Sequence, residues 1–143
     1  MTTVVLDASV AVKWVLPPAG EDLVPEAVDL LRRYAREEIR FVVPDIFWVE
    51  LGNVAWRAVR LGRWTAEEAR SGLQDLANRN FPTFSSKDSL AAAFTLANSS
   101  HRRLNDCLYV VLAVTSKSEM ITADEKLANA LAARLPVKWL GAL

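Results

Sequence analysis

Thr3-Val4-Val5-Leu6-Asp7-Ala8-Ser9 and Met120-Ile121-Thr122-Ala123-Asp124 decide the fold of this chain. Each is a short apolar run of strand formers closed by an aspartate, and each leads straight into a helical pattern. Between them, short apolar runs alternate with longer stretches of 3.6-residue periodicity, which is the pattern of parallel β/α units. The expected fold class is therefore α/β, a parallel sheet of about five strands flanked by helices on both faces. In such an open sheet, chemistry collects beyond the carboxyl ends of the strands, at the point where strand order reverses. Asp7 and Asp124 both occupy carboxyl ends of expected strands.

Working outward, the first strand spans about Thr3 to Asp7, with Ser9 as N-cap of a short helix that ends before Pro17-Pro18. Leu23, Ala27, Leu30, Leu31 and Tyr34 mark a helix from about Asp22 to Glu38. Arg40 to Val43 reads as a strand, and Pro44-Asp45 opens a long helix reaching about Leu61. Gly62 ends it, and Thr65-Ala66-Glu67-Glu68 is a capping box for the next. A weak strand at Phe81 to Phe84 precedes a helix from about Lys87 to Asn98 and a loop over Ser99 to Arg103. An apolar helix (Leu104 to Ser118), a strand (Met120 to Thr122), a helix (Asp124 to Arg134) and a short strand (Val137 to Leu140) complete the chain.

The 143 residues suggest one domain, 1–143, with 52% hydrophobic and 24% charged residues, ordinary for a soluble protein. No apolar run approaches the roughly 18 residues of a membrane span. The N-terminus lacks the basic segment of a signal peptide. One cysteine, Cys107, forms no internal disulfide or zinc cluster. These features fit a cytoplasmic protein. Seventeen Lys and Arg balance seventeen Asp and Glu, so no global positive field draws nucleic acid, and affinity for a polyanion must come from local patches or bound cations.

Asp7, Glu50, Asp106 and Asp124 are the candidate chemistry. Asp7 suits a turn equally well, and Asp124 has a good alternative as an N-cap worth about 1 kcal/mol. Glu50 heads a polar stripe with Asn53, Arg57 and Arg60, beside a core stripe of Phe47, Leu51, Val54, Ala58 and Leu61. On that helix Arg57 lies about 10 Å beyond Glu50. Asp106 interrupts a helix that is apolar from Cys107 to Val114 except for the Tyr109 hydroxyl. A dipole gain of about 0.3–1 kcal/mol there is small beside the several kcal/mol of burying an unpaired charge, unless Arg103 pairs with it. Two carboxylates about 4 Å apart repel by about 4 kcal/mol at an effective dielectric of about 20. Gathering several therefore calls for a cation, and hard oxygen ligands suit Mg²⁺ or Mn²⁺. Thr122 is placed to donate its hydroxyl to a carboxylate and fix its orientation.

Asp7-Ala8-Ser9-Val10 with Lys13-Trp14, Pro44 to Asn53, Asn105 to Ala113, and Thr122 to Leu127 together resemble the PIN-domain family, specifically its small VapC-type toxins. The segments stand in family order and span nearly the whole chain. The resemblance implies a parallel sheet sandwiched by helices, a homodimer, and Asp7, Glu50, Asp106 and Asp124 as catalytic metal ligands for Mg²⁺, with Mn²⁺ an alternative. It implies supporting roles for Thr122, Asn53 and Ser9. The implied activity is endoribonuclease hydrolysis of RNA, leaving a 5′-phosphate and a 3′-hydroxyl, under control of a small cognate antitoxin protein. Lys13, Arg57, Arg102 and Arg103 are the candidate RNA contacts. Asn105 stands where an aromatic residue commonly precedes the third acid, and Cys107 replaces the usual alanine or serine.

Other aspartate-rich folds fit less well. A haloacid-dehalogenase phosphatase needs a second aspartate where Ser9 stands, a metal-dependent adhesion site needs serine where Ala11 stands, and a receiver domain needs paired acids near the first strand. The non-enzymatic rival is a catalytically silent PIN-like module that binds protein or RNA. Trp14, Trp48, Trp56, Trp64 and Trp139 are many tryptophans for this length. Most suit the core, and some suit a groove for an antitoxin segment or a self-association surface.

Overall fold

The computed structural model describes residues 1–143. Five strands, β1 (Thr2–Leu6), β2 (Ile39–Pro44), β3 (Thr83–Phe84), β4 (Glu119–Thr122) and β5 (Val137–Trp139), form one sheet in the order β3-β2-β1-β4-β5. Every pairing is parallel. The helices are α1 (Ala8–Val15), α2 (Val24–Ala35), α3 (Ile46–Arg60), α4 (Ala66–Ala77), α5 (Ser86–Ser100), α6 (Leu104–Thr115) and α7 (Glu125–Leu131), with a 3₁₀ turn at Leu140–Ala142.

The strand order places the site. The chain steps outward from β1 to β2 to β3, then returns to lay β4 on the other side of β1. Strand order therefore reverses between β1 and β4, whose carboxyl ends carry Asp7 and Asp124. The two ends are stitched together by the Asp7 amide, which donates to the Ile121 carbonyl at 3.1 Å. Helices α1, α3 and α4 pack on one another, whereas α6 pairs with α5 and crosses β1, β2 and β4. Right-handed crossovers put the helices of the outward and return passes on opposite faces.

Both faces of β1 are covered, so Val4, Val5 and Leu6 form a continuous buried run rather than an alternating one. Phe41, Val42, Val43, Met120 and Ile121 do the same beside it. Tyr34, Phe41, Phe81, Phe47 and Trp48 make a connected aromatic group under one end of the sheet. No helix is long and apolar enough to cross a membrane.

Several boundaries differ from the sequence reading. Asp7, not Ser9, occupies the N-cap position of α1, and its side chain caps nothing because two hydroxyls already hold it. Strand β3 shrinks to two residues because Phe81 turns into the core and Pro82 has no N–H to add to the ladder. Ser99 and Ser100 continue α5, and His101 in the left-handed region ends it, so the loop is only three residues long. Leu61, assigned above to the core stripe, is the C-cap of α3 and 60% exposed. The Thr65 cap holds, accepting from the Glu68 amide at 3.2 Å.

Candidate functional site

Asp7 sits where β1 stops and α1 begins, 7% exposed, between the two layers of helices. Its Oδ2 accepts from the Ser9 hydroxyl at 2.6 Å and from the Thr122 hydroxyl at 2.7 Å. Each hydroxyl is itself aimed by a backbone amide: Ala123 donates to Ser9 Oγ at 3.0 Å, and Asp124 donates to Thr122 Oγ1 at 3.1 Å. The β1–β4 junction thus orients Asp7 through a relay from main chain to hydroxyl to carboxylate. Oδ1 is the oxygen these hydroxyls leave unengaged. The hydroxyl of Thr122 serves Asp7 across the strand pair, rather than its sequence neighbour Asp124.

Burial pushes the Asp7 carboxyl up to about 6 against the opposing pull of Ser9 and Thr122, and the negative charges of Glu50 and Asp106 push the same way. Those two residues arrive from opposite layers, Glu50 on α3 and Asp106 in the first turn of α6. Asp7, Glu50, Asp106 and Asp124 line one cleft of about 580 Å³, together with Ser9, Lys13, Asn53, Arg57 and Arg103. Thr122 lies behind it, fully buried. Asp124 is exposed and caps α7 by accepting from the Leu127 amide at 3.1 Å, so the N-cap role and the place in the cleft coexist.

Tyr109 is a contributor that the sequence reading passed over. It is 1% exposed, and its hydroxyl donates to Glu50 Oε1 at 2.6 Å. Desolvation, with the charges of Asp7 and Glu50, holds that phenol far above its ordinary value, so it acts as a fixed donor. The signal was present: Tyr109 is three residues after Asp106, on the same face of an otherwise apolar helix. Glu21 also lines the cleft without having been singled out, and Asn105, noted above only as a departure from the family pattern, lines it too.

The cations are placed unequally. Lys13 is buried, with Nζ 3.2 Å from Glu21 and 3.0 Å from Asp22. Arg103 stands 3.4 Å from Asp106 with its side chain 78% exposed, and the charges of Asp106, Glu50 and Asp124 raise its affinity for a proton. Arg102 is turned away, donating to the Lys126 carbonyl at 3.0 Å. Arg57 is exposed on the cleft wall.

The donor set is all hard oxygen, and a buried carboxyl sharing a cleft with the charges of Glu50 and Asp106 is what a divalent cation would relieve. No three acidic side chains converge closely enough to enclose an ion by themselves. The four acids expected to ligate one ion therefore share a cleft without forming a closed ligand set.

Solved structures share this fold. The chain resembles PAE2754 from Pyrobaculum aerophilum with a TM-score of 0.72 at 18% identity, over 99% of this chain and 85% of that one. VapC20 from Mycobacterium tuberculosis, a toxin cleaving the sarcin–ricin loop, gives 0.63 at 12% identity, over 90% and 95%. A toxin–antitoxin complex from Klebsiella pneumoniae gives 0.59 at 18% identity, over 94% and 95%. No curated protein is a significant match. The sequence profile of the PIN domain matches residues 4–131, a span holding all four acids, and the chain belongs to that family.

Proposed function

We propose that this protein is a divalent-metal-dependent endoribonuclease, the toxin of a toxin–antitoxin pair. The observation that carries the reading is Asp7: a buried carboxyl raised to about 6, beside Glu50 and Asp106 in an open cleft. A fold has little structural reason to keep that arrangement without a cation. Asp7, Glu50, Asp106 and Asp124 would hold Mg²⁺ or Mn²⁺, which when bound activates water and neutralises charge on the phosphodiester. The chain's own groups do the rest. Ser9 and Thr122 keep Asp7 Oδ2 occupied so that Oδ1 serves the cleft, and Tyr109 fixes Glu50. Arg57, Arg103 and Asn53 line the same cleft and would contact RNA phosphates, and Lys13 would join them on release from Glu21 and Asp22. In the reaction a water oxygen bonds to phosphorus and the bond to the 3′-oxygen breaks. That oxygen leaves as a hydroxyl, and the phosphate stays on the 5′ side.

A small antitoxin is the proposed protein partner, in keeping with the toxin–antitoxin complex that shares the fold. Leu90 and Phe94, four residues apart on one side of α5, are exposed, and a homodimer covering them is part of the proposal. The test compares wild type with Asp7→Asn and Asp106→Asn on structured and unstructured RNAs in Mg²⁺, Mn²⁺ or EDTA. Either substitution, or EDTA, is expected to lower cleavage about a hundredfold or more. Equal cleavage by all three proteins, or cleavage that persists in EDTA, rejects the chemistry. The Arg103–Asp106 pair and the separation of the acids favour one rival, a module that binds without cutting. RNA retained but never cleaved would select it.

A further inference from the structure

A second cleft, of about 620 Å³, adjoins the first. Both are bounded by Glu21, Val54 and Arg57, so the two are continuous along α3 and the segment after α1. Their charges differ in sign. The carboxylate cleft sets five acids against three cations, whereas the second sets Arg57 and Arg63 against Glu21 alone. Its remaining wall is apolar, with Pro17, Val54 and Leu61.

Even with one divalent cation bound, the five acids and three cations of the first cleft leave no net positive charge to hold a phosphodiester, so the strand gains from an anchor next door. From Glu50 to Leu61 is about 16 Å along the helix, several times the 3.4 Å stacked rise of one nucleotide. We propose that the second cleft is a subsite for an unpaired nucleotide a few positions along the strand from the scissile phosphate. The base lies against Pro17, Val54 and Leu61, and Arg57 and Arg63 hold its phosphates. The subsite rests on the ribonuclease reading and adds to it an anchor for the strand several nucleotides from the scissile bond. A peptide is the other class of occupant. The two arginines and the continuity with the carboxylate cleft favour the polyanion, since both features follow the path of a strand running through the acids.

Arg63 is exposed and Leu61 is 60% exposed, so both can be changed without touching the core. Binding of a fluorescent single-stranded RNA of about ten nucleotides is followed by anisotropy in EDTA, where metal-dependent cleavage is silent. Arg63→Gln and Leu61→Glu are each expected to weaken binding about fivefold at low salt, and Arg63→Gln to reduce the slope of log K against log salt by about 0.7. In Mg²⁺ the same variants should raise KM on this RNA with kcat unchanged, and match wild type on a dinucleotide too short to reach the subsite. Wild type that neither binds nor cleaves RNA removes the ribonuclease reading and the subsite with it. Wild type that cleaves while both variants bind and turn over as it does overturns the subsite alone. So does unchanged RNA affinity with loss of a protein partner.

Discussion

At Glu50 and Tyr109 a single hydrogen bond separates a surface glutamate from a positioned one. Tyr109 brings the only polar atom of its stretch of α6 to the Glu50 carboxylate at 2.6 Å. A hydrogen bond to an ionised group is worth about 1.5–3 kcal/mol. Tyr109→Phe keeps the ring and its packing and removes the donor. It is expected to cost about 1–2 kcal/mol of stability and to raise the Mg²⁺ concentration for half-maximal cleavage about tenfold or more. Chemical denaturation and a metal titration of the rate read the two effects separately. A stability loss with an unaltered metal titration would make Tyr109 a packing residue only.

Among the elements, α3 and α5 do different work on their outer faces. One stripe of α3 gives Glu50, Asn53 and Arg57 to the cleft, and its neighbour exposes Val49 and Trp56, with Arg60 stacked 4.8 Å over the indole. Helix α5 buries only Ala93 and leaves Leu90 and Phe94 in solvent, Phe94 at 67%. A helix so poorly covered in the isolated chain is expected to find cover in a second copy. Phe94→Glu should turn a dimer into a monomer of unchanged circular dichroism, as read by light scattering. A wild-type protein that is monomeric at all concentrations would contradict the homodimer.

For the molecule as a whole, the site is held against the stability of the metal-free fold. Asp7 titrates near 6 folded, against 3.8 for the ordinary carboxyl. The folded state therefore binds that proton more tightly than the unfolded state. Below about pH 4 both states are protonated and the shift costs nothing. Stability then falls as pH rises through 4 to 6 and levels off above, by about 3 kcal/mol for a gap of about two units. Asp7→Asn is expected to remove this pH dependence and raise the melting temperature in EDTA at neutral pH by several degrees. Mg²⁺ should stabilise wild type and not the variant. A variant less stable than wild type in EDTA, with the same pH profile, would mean that the Asp7 charge is not the source of the cost.

The alternation of apolar runs with helical periods, and the two aspartates closing Val4–Leu6 and Met120–Thr122, made the α/β class and the ends of the strands legible from sequence, because local periodicity reports burial directly. Cap and turn residues fared unevenly. Thr65 kept its cap, since that bond is made within one turn, whereas Ser9 gave its hydroxyl to Asp7 and to the amide of Ala123, a partner more than a hundred residues away. What only the tertiary structure decided is which polar groups meet: Thr122 with Asp7, Tyr109 with Glu50, Lys13 with Glu21 and Asp22. The order β3-β2-β1-β4-β5 brings β4 beside β1, and no local pattern encodes that return. Distances between residues far apart in sequence depend on how whole layers pack, so the chemistry of single residues could be read along the chain, and their company could not.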